Sequence, residues 1–332
     1  MKAVGLTKAS TGFVDIEIDQ PVPGSHDLLV KIKAISINPV DTKQLEATKL
    51  SGEEVRILGW DAVGEVVDTG SDVTLFKTGQ DVYFAGDVTR PGAYAEFTLI
   101  DERLVGLKPQ KLTVEEAAAM PLTTITAWEA LFERLGITEN DKGKAILIIN
   151  GAGGVGSIAT QLAANAGLEV IATASRAETI EWTKKHGANY VINHRENIPK
   201  QLNELGFEQS VDFILCLHNT NAHWDVMQEV IRPQGKICSI VELAEPVKMT
   251  LLKDKSATFS YEFMFTRSKY NTEDKIKQHE ILTEAAQMLD AGELTTTLNQ
   301  VLSPVNAATI EEAHKIISSG KMIGKLVVKG LE

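Results

Sequence analysis

From Lys144 to Ala164 the chain reads KAILIINGAGGVGSIATQLAA: an apolar run, then Gly151, Gly153 and Gly156 at G-x-G-x-x-G spacing, then small residues at helical spacing. Residues of these types in this order suit the grip of a dinucleotide pyrophosphate. Gly151 permits a tight turn off a strand, Gly153 lets backbone approach the phosphates, and Gly156 lets the next helix pack closely on the sheet. Ala152, Gly154 and Val155 complete the loop, and the helix that follows offers unpaired N–H groups and a positive dipole end to an anion. The other reading, a glycine-rich turn without a ligand, is weakened by context. Ala145 to Ile149 reads as a buried parallel strand and Val155 to Ala166 as a helix rich in Ala and Ile.

The next strand, Leu168 to Ala174, ends at Ser175-Arg176, where a fold selective for NAD places Asp or Glu against the ribose hydroxyls. Glu169 comes too early and Glu178 too late for that task. A guanidinium beside a hydroxyl suits a 2′-phosphate instead, so the expected cofactor is NADPH. Ser175 and Glu178 also form S-x-x-E, a capping box that starts a helix without any ligand, and Ser175 can serve both roles. His194-Arg195, after the strand Tyr190 to Asn193, is placed to close the same phosphate pocket or else is simply solvated. His218-Asn219-Thr220 and Val241-Glu242-Leu243 follow the fourth and fifth strands. Position at the carboxyl ends of strands makes His218 and Val241 candidate cofactor contacts, although a single loop histidine is more often structural.

The elements that must position these groups follow from the remaining pattern. The 332 residues suffice for two domains with separate cores, and 43% hydrophobic content is ordinary for a globular protein. A net charge of -12 argues against nucleic acid or an anionic membrane as partner. The N-terminal stretch alternates apolar and polar residues, and no run approaches the roughly 20 apolar residues of a membrane span. A cytoplasmic protein is expected. Cys216 and Cys238 fall in apolar runs, in no C-x-x-C and at no zinc-ligand spacing, so neither a structural zinc nor a disulfide is expected.

Residues 1–122 give short strands split by Gly and Pro turns, LLVKIKAISI, AVGEVVDTG, QDVYFAG and GAYAEFTLI, which suggests a partly open β-barrel. Residues 123–268 alternate strands and helices, AILIIN, EVIATA, YVIN, VDFILCL and KICSIVE, the pattern of an α/β Rossmann doubly wound parallel sheet. Residues 269–332 add a helix over Glu273 to Leu289, the segment VLSPVN, a helix with His314 and a last strand over Gly324 to Lys329, and are expected to return to the first domain.

The combination of SINPVDTK (Ser36 to Lys43), GWDAVGEVV (Gly59 to Val67), MPLTTITAWEAL (Met120 to Leu131), the NGAGGVGS loop and FMFTRS (Phe263 to Ser268) resembles the medium-chain dehydrogenases/reductases. The resemblance covers the whole chain and is to the quinone oxidoreductase branch that includes zinc-type alcohol dehydrogenase-like proteins. It implies a GroES-like β-barrel domain beside the Rossmann domain. Zinc alcohol dehydrogenases carry a Cys near the Asn38 position and a His in a Gly-His-Glu triplet, where this chain has Asn38 and Gly59-Trp60-Asp61. A Trp cannot coordinate zinc, so no metal is expected. The zinc-free branch is similar to NADPH-dependent reductases of quinones and α,β-unsaturated carbonyls, which implies a small carbonyl or quinone substrate. Zinc-type alcohol oxidation and non-catalytic NADPH binding are the alternatives.

By the same resemblance Asn38 and Asp41 lie near nicotinamide and substrate, Asn38 as an amide donor and Asp41 as a positioning or proton-relay group. Their local alternative is that Asn38-Pro39 begins a turn and Asp41 caps a helix. Lys43 stands where quinone reductases often carry an aromatic hydroxyl. It either hydrogen-bonds a developing enolate or lies exposed, the default for lysine. Trp60 is either an apolar wall for a flat substrate or core. Thr126 is either a nicotinamide contact or part of an ordinary helix start. Lys325, beside the last strand, either returns to the cofactor or is surface charge, the default for lysine. The alternating segment Ser256 to Phe265 lies where family members pair edge strands, which implies a homodimer. Substrate choice falls to loops such as Gln44 to Arg56, which show no readable motif.

Overall fold

A computed structural model of the chain describes residues 1–48 and 54–330. Residues 49–53 of the expected substrate-choosing loop lie outside the described residues. The chain divides into two units, Met1–Ile125 with Phe265–Glu332, and Thr126–Met264.

In the second unit, short strands alternate with helices, and the central strands Ala145–Ile149 and Val211–Cys216, largely apolar, are buried on both faces, as in an all-parallel sheet. Its six strands run in the spatial order Tyr190–Ile192, Glu169–Thr173, Ala145–Ile149, Val211–Cys216, Ile231–Ser239, Thr258–Tyr261. Every pairing is parallel. Numbered along the chain this is 3-2-1-4-5-6, the doubly wound dinucleotide order, with the crossover reversal beside Ala145–Ile149. Ile146, Leu147, Ile148, Val170, Ile171 and Ile214 are fully buried between the helix layers.

The first unit is antiparallel except at one edge. Its larger sheet orders Leu298–Leu302, Lys325–Lys329, Asp27–Ile37, Asp61–Thr69, Asp81–Phe84 and Val105–Leu107, with Phe97–Asp101 paired to the long strand Asp27–Ile37. That strand is irregular between Leu29 and Val30 and between Ile32 and Ala34, and such bulges add the bend and twist that a barrel wall requires. The closing strand Lys325–Lys329 is flanked on both sides, parallel to Leu298–Leu302 and antiparallel to Asp27–Ile37. Its first residue is therefore enclosed although it is a lysine. This is the partly open, GroES-like barrel expected. No helix is long and apolar enough to cross a membrane among the described residues.

Candidate functional site

The nucleotide side of the site forms within the second unit. The strand Ala145–Ile149 hands over through Asn150, at φ 73°, to the glycine loop. The helix Gly154–Asn165 starts with Gly153 as its N-cap in extended conformation, and Ser157 N–H and Oγ both donate to the Gly153 carbonyl at 2.8 Å. A Cβ on Gly156 would lie 2.2 Å from the Asn150 carbonyl and 2.8 Å from Gly151 backbone, so only Gly fits. At Gly153 the nearest obstacle is the Asn150 side chain, at 2.9 Å, and φ is -72°. Packing within the protein does not demand a bare backbone there, and the approach of a group from outside the chain does. The loop thus fits a pyrophosphate, with the N–H groups of Gly154, Val155 and Gly156 at the open helix end.

At the end of the neighbouring strand the helix Ala177–Lys185 is capped by Arg176, not by Ser175: the Arg176 N–H donates to Thr179 Oγ1 at 3.0 Å. This corrects the S-x-x-E reading. Glu178 instead lies 3.2 Å from Arg176 Nε, which holds the half-buried guanidinium at the strand end. His194 and His223 both have their imidazole pKa pushed down, chiefly by burial and further by basic neighbours, Arg195 and His218 for the first and His218 and His194 for the second. His223, in the first turn of the helix Thr220–Val230, was not singled out from sequence. His194 Nδ1 is buried without a hydrogen-bond partner. Val241 is engaged through its carbonyl, which accepts from Thr220 Oγ1. Thr126 is buried within the helix Pro121–Trp128, past its start.

In the first unit the structure gathers Asn38 and Asp41 with groups the sequence reading did not join to them. Pro39 opens the helix Pro39–Ala47, and Asp41 Oδ2 accepts the Asn38 N–H at 2.7 Å, so the local capping role is real. The Asn38 side chain is fully engaged. Its Nδ2 donates to the Ser36 carbonyl at 3.3 Å and to Asp61 Oδ2 at 3.1 Å, and its Oδ1 accepts from Lys325 Nζ. Both amide hydrogens of Asn38 are thus used inside the protein. Lys325 is 3% exposed, which overturns its reading as surface charge. Its ammonium has three oxygen neighbours, the Ile37 carbonyl at 3.3 Å, Asn38 Oδ1 and Asp61 Oδ2 at 3.1 Å. Asp61 Oδ1 accepts the Leu122 N–H at 3.1 Å.

Burial pushes the Asp61 carboxyl up, against the pull of Lys325 and Asn38. Burial also pushes Asp41 up, to about 7, against the Asn38 N–H and Lys325. The Tyr94 hydroxyl faces Asp41 and lies 3.0 Å from His314 Nε2; both residues are buried. Trp60 takes the core alternative: it is 2% exposed, lies edge-on to Phe265 and donates from Nε1 to the Arg90 carbonyl at 3.3 Å. Lys43 is exposed on its helix, outside this cluster.

These groups do not fit a zinc ion. The indole at position 60 has no lone pair to offer, both Asp61 oxygens are engaged, and an ammonium already sits against them. Among the described residues no three His, Cys, Asp or Glu side chains are grouped so as to hold a metal.

Comparison with known proteins agrees with this architecture. Residues 24–110 match the alcohol dehydrogenase GroES-like domain and residues 186–328 the zinc-binding dehydrogenase family. A zinc-type alcohol dehydrogenase-like protein of Staphylococcus epidermidis is 41% identical over 336 residues, covering 99% of both chains. The 2-methylene-furan-3-one reductase of Solanum lycopersicum is 29% identical over 99% of this chain and 79% of its own. Among solved structures, a Rhizobium etli CFN 42 protein provisionally classed as a zinc-dependent alcohol dehydrogenase superposes with a TM-score of 0.95 at 43% identity, covering 100% and 98% of the two chains. A mycobacterial protein complexed with NADPH superposes at 0.84 with 25% identity, covering 99% and 100%. The quinone oxidoreductase of Coxiella burnetii superposes at 0.78 with 26% identity, covering 99% of each. The chain belongs to the medium-chain dehydrogenase/reductase superfamily, as an oxidoreductase. Within it, the similarity is to the zinc-type alcohol dehydrogenase-like proteins.

Proposed function

We propose that this oxidoreductase uses NADPH to reduce quinones or α,β-unsaturated carbonyls without zinc. The observation that carries the reading is the Lys325 ammonium. It lies against Asn38 and Asp61, so the positive charge of this pocket is supplied by the chain itself. The mycobacterial neighbour with NADPH, the Coxiella quinone oxidoreductase and the tomato reductase support the cofactor and the substrate class.

NADPH, when bound, supplies a hydride for an electrophilic carbon. Gly151 to Gly156 would hold the pyrophosphate and Ser175 with Arg176 the 2′-phosphate, while His194, Arg195, His218, Val241 and Thr126 would line the rest of the cofactor. Asn38, held on both edges of its amide, would give the nicotinamide and substrate a rigid floor, and Asp41 would position that turn. Lys43 and Trp60 fall outside this account. Cys216 and Cys238 are free and buried, which suits a reducing cytoplasm.

Arg176→Asp tests the assignment. NADPH binding, read by nucleotide fluorescence, should weaken about 10- to 100-fold, as expected for loss of a charge-assisted pair, with a relative gain for NADH. An unchanged preference would refute it. The segment read as a dimer edge is the outermost strand of its sheet, Thr258–Tyr261, with Tyr261 and Phe263 more than 40% exposed. Such an edge is an aggregation hazard unless paired, so we read the protein as a homodimer. Sedimentation should give the mass of two chains, and a single-chain mass at micromolar concentration would refute this.

A further inference from the structure

One ammonium and two carboxyls are enclosed together: Lys325 pairs with Asp61, while Asp41 has Oδ2 on the Asn38 N–H and Oδ1 with no partner at hydrogen-bond length. A second buried carboxylate without a second cation is costly, and the usual resolution is that it keeps its proton. The polar group facing Asp41 is the Tyr94 hydroxyl, which has a single proton to donate. That hydroxyl is also 3.0 Å from His314 Nε2, on the helix Ala307–Ser318, and His314 is packed edge-on against Phe13 and Tyr94.

From this geometry we infer that Asp41 is held as a neutral carboxylic acid, and that His314, by drawing the Tyr94 O–H proton to its Nε2, is the positioning residue that keeps it so. An imidazole that accepts at Nε2 must be neutral, with its proton on Nδ1, which is buried and has no hydrogen-bond partner, and burial holds His314 down to about 4. The groups facing Asp41 are then complete: the Asn38 N–H at its own helix start, Lys325 from the closing strand, Asp61 from the strand beside it, and Tyr94, with His314 behind it. Were Asp41 to ionise, it would compete with Asp61 for Lys325 and loosen the hold of that ammonium on Asn38. The link to turnover rests on the function proposed above, but the protonation state does not.

Infrared spectra of the whole protein without nucleotide read the acid directly. At pH 6 the native chain should show a carboxylic-acid C=O band that Asp41→Asn lacks, and the band should fade as pH rises through about 7. Tyr94→Phe removes the hydroxyl that could turn to an ionised Asp41, leaving only the Asn38 N–H as donor, and should move the fade up by about 0.5–1 pH unit. His314→Leu frees the Tyr94 proton for Asp41 and should move it down, whereas His314→Gln, which still accepts, should leave it in place. The alkaline limb of NADPH turnover with 1,4-naphthoquinone should move in the same directions. An ionised Asp41 at pH 6, or two variants moving the fade the same way, would overturn the proton assignment. A turnover limb that stays put while the band moves would overturn the positioning role.

Discussion

Lys325→Met should lower the folding stability of the protein by about 3–5 kcal/mol, read as the urea midpoint, because it strands the Asp61 carboxylate without its cation. The magnitude follows from burial. Asp61 is fully buried and Lys325 is 3% exposed, so neither solvent nor salt screens the loss. The comparison that separates charge from packing is the double variant Lys325→Met with Asp61→Asn. It removes both charges while the amide oxygen still accepts the Leu122 N–H, and it should regain more than half of the lost stability. A single variant as stable as the native chain would mean that the pair contributes nothing.

Substitution in the glycine loop should divide binding from folding. Gly156→Ala places a methyl 2.2 Å from the Asn150 carbonyl, a backbone atom that cannot step aside, and should lower the thermal midpoint by several degrees, as about 1–3 kcal/mol of overpacking does. Gly153→Val brings its new Cβ nearest to the Asn150 side chain, at 2.9 Å, with the Asn150 carbonyl at an ordinary 3.6 Å and a φ of -72° open to any residue. It should unfold much like the native chain yet bind NADPH about 100-fold more weakly, because its side chain occupies the line of approach of the pyrophosphate. Equal nucleotide affinity in native protein and Gly153→Val would place the phosphates elsewhere.

The glycine loop and the strand order were legible because each requirement there is local: a tight turn, a bare backbone, a buried β-branched strand. The helix cap was misplaced by one residue, from Ser175 to Arg176, since the cap depends on where the backbone leaves the strand and several hydroxyls compete for it. Lys325 was misread for a different reason. Its burial comes from strands on both sides, Leu298–Leu302 and Asp27–Ile37, whose pairing is not written in its own neighbourhood. Tyr94 and His314 are 220 residues apart and meet only through the fold. One signal was available: Ile310, Ala313 and His314 fall at i, i+3, i+4 and share the buried face of their helix. Asn38 and Asp41 follow from resemblance, and their full hydrogen-bond account needs Asp61, which enters the sequence analysis only as part of the Gly59-Trp60-Asp61 triplet.

In the proposed reaction reduced nucleotide acts without a bound metal. The direct measurement is NADPH oxidation with 1,4-naphthoquinone before and after exhaustive dialysis against a chelator, with the metal content of the same sample determined. The rate should be unchanged, the zinc content substoichiometric and NADPH preferred over NADH. A rate that vanishes with the metal and returns on adding zinc, or tight NADPH binding with no turnover on any quinone or enone, would contradict the proposal.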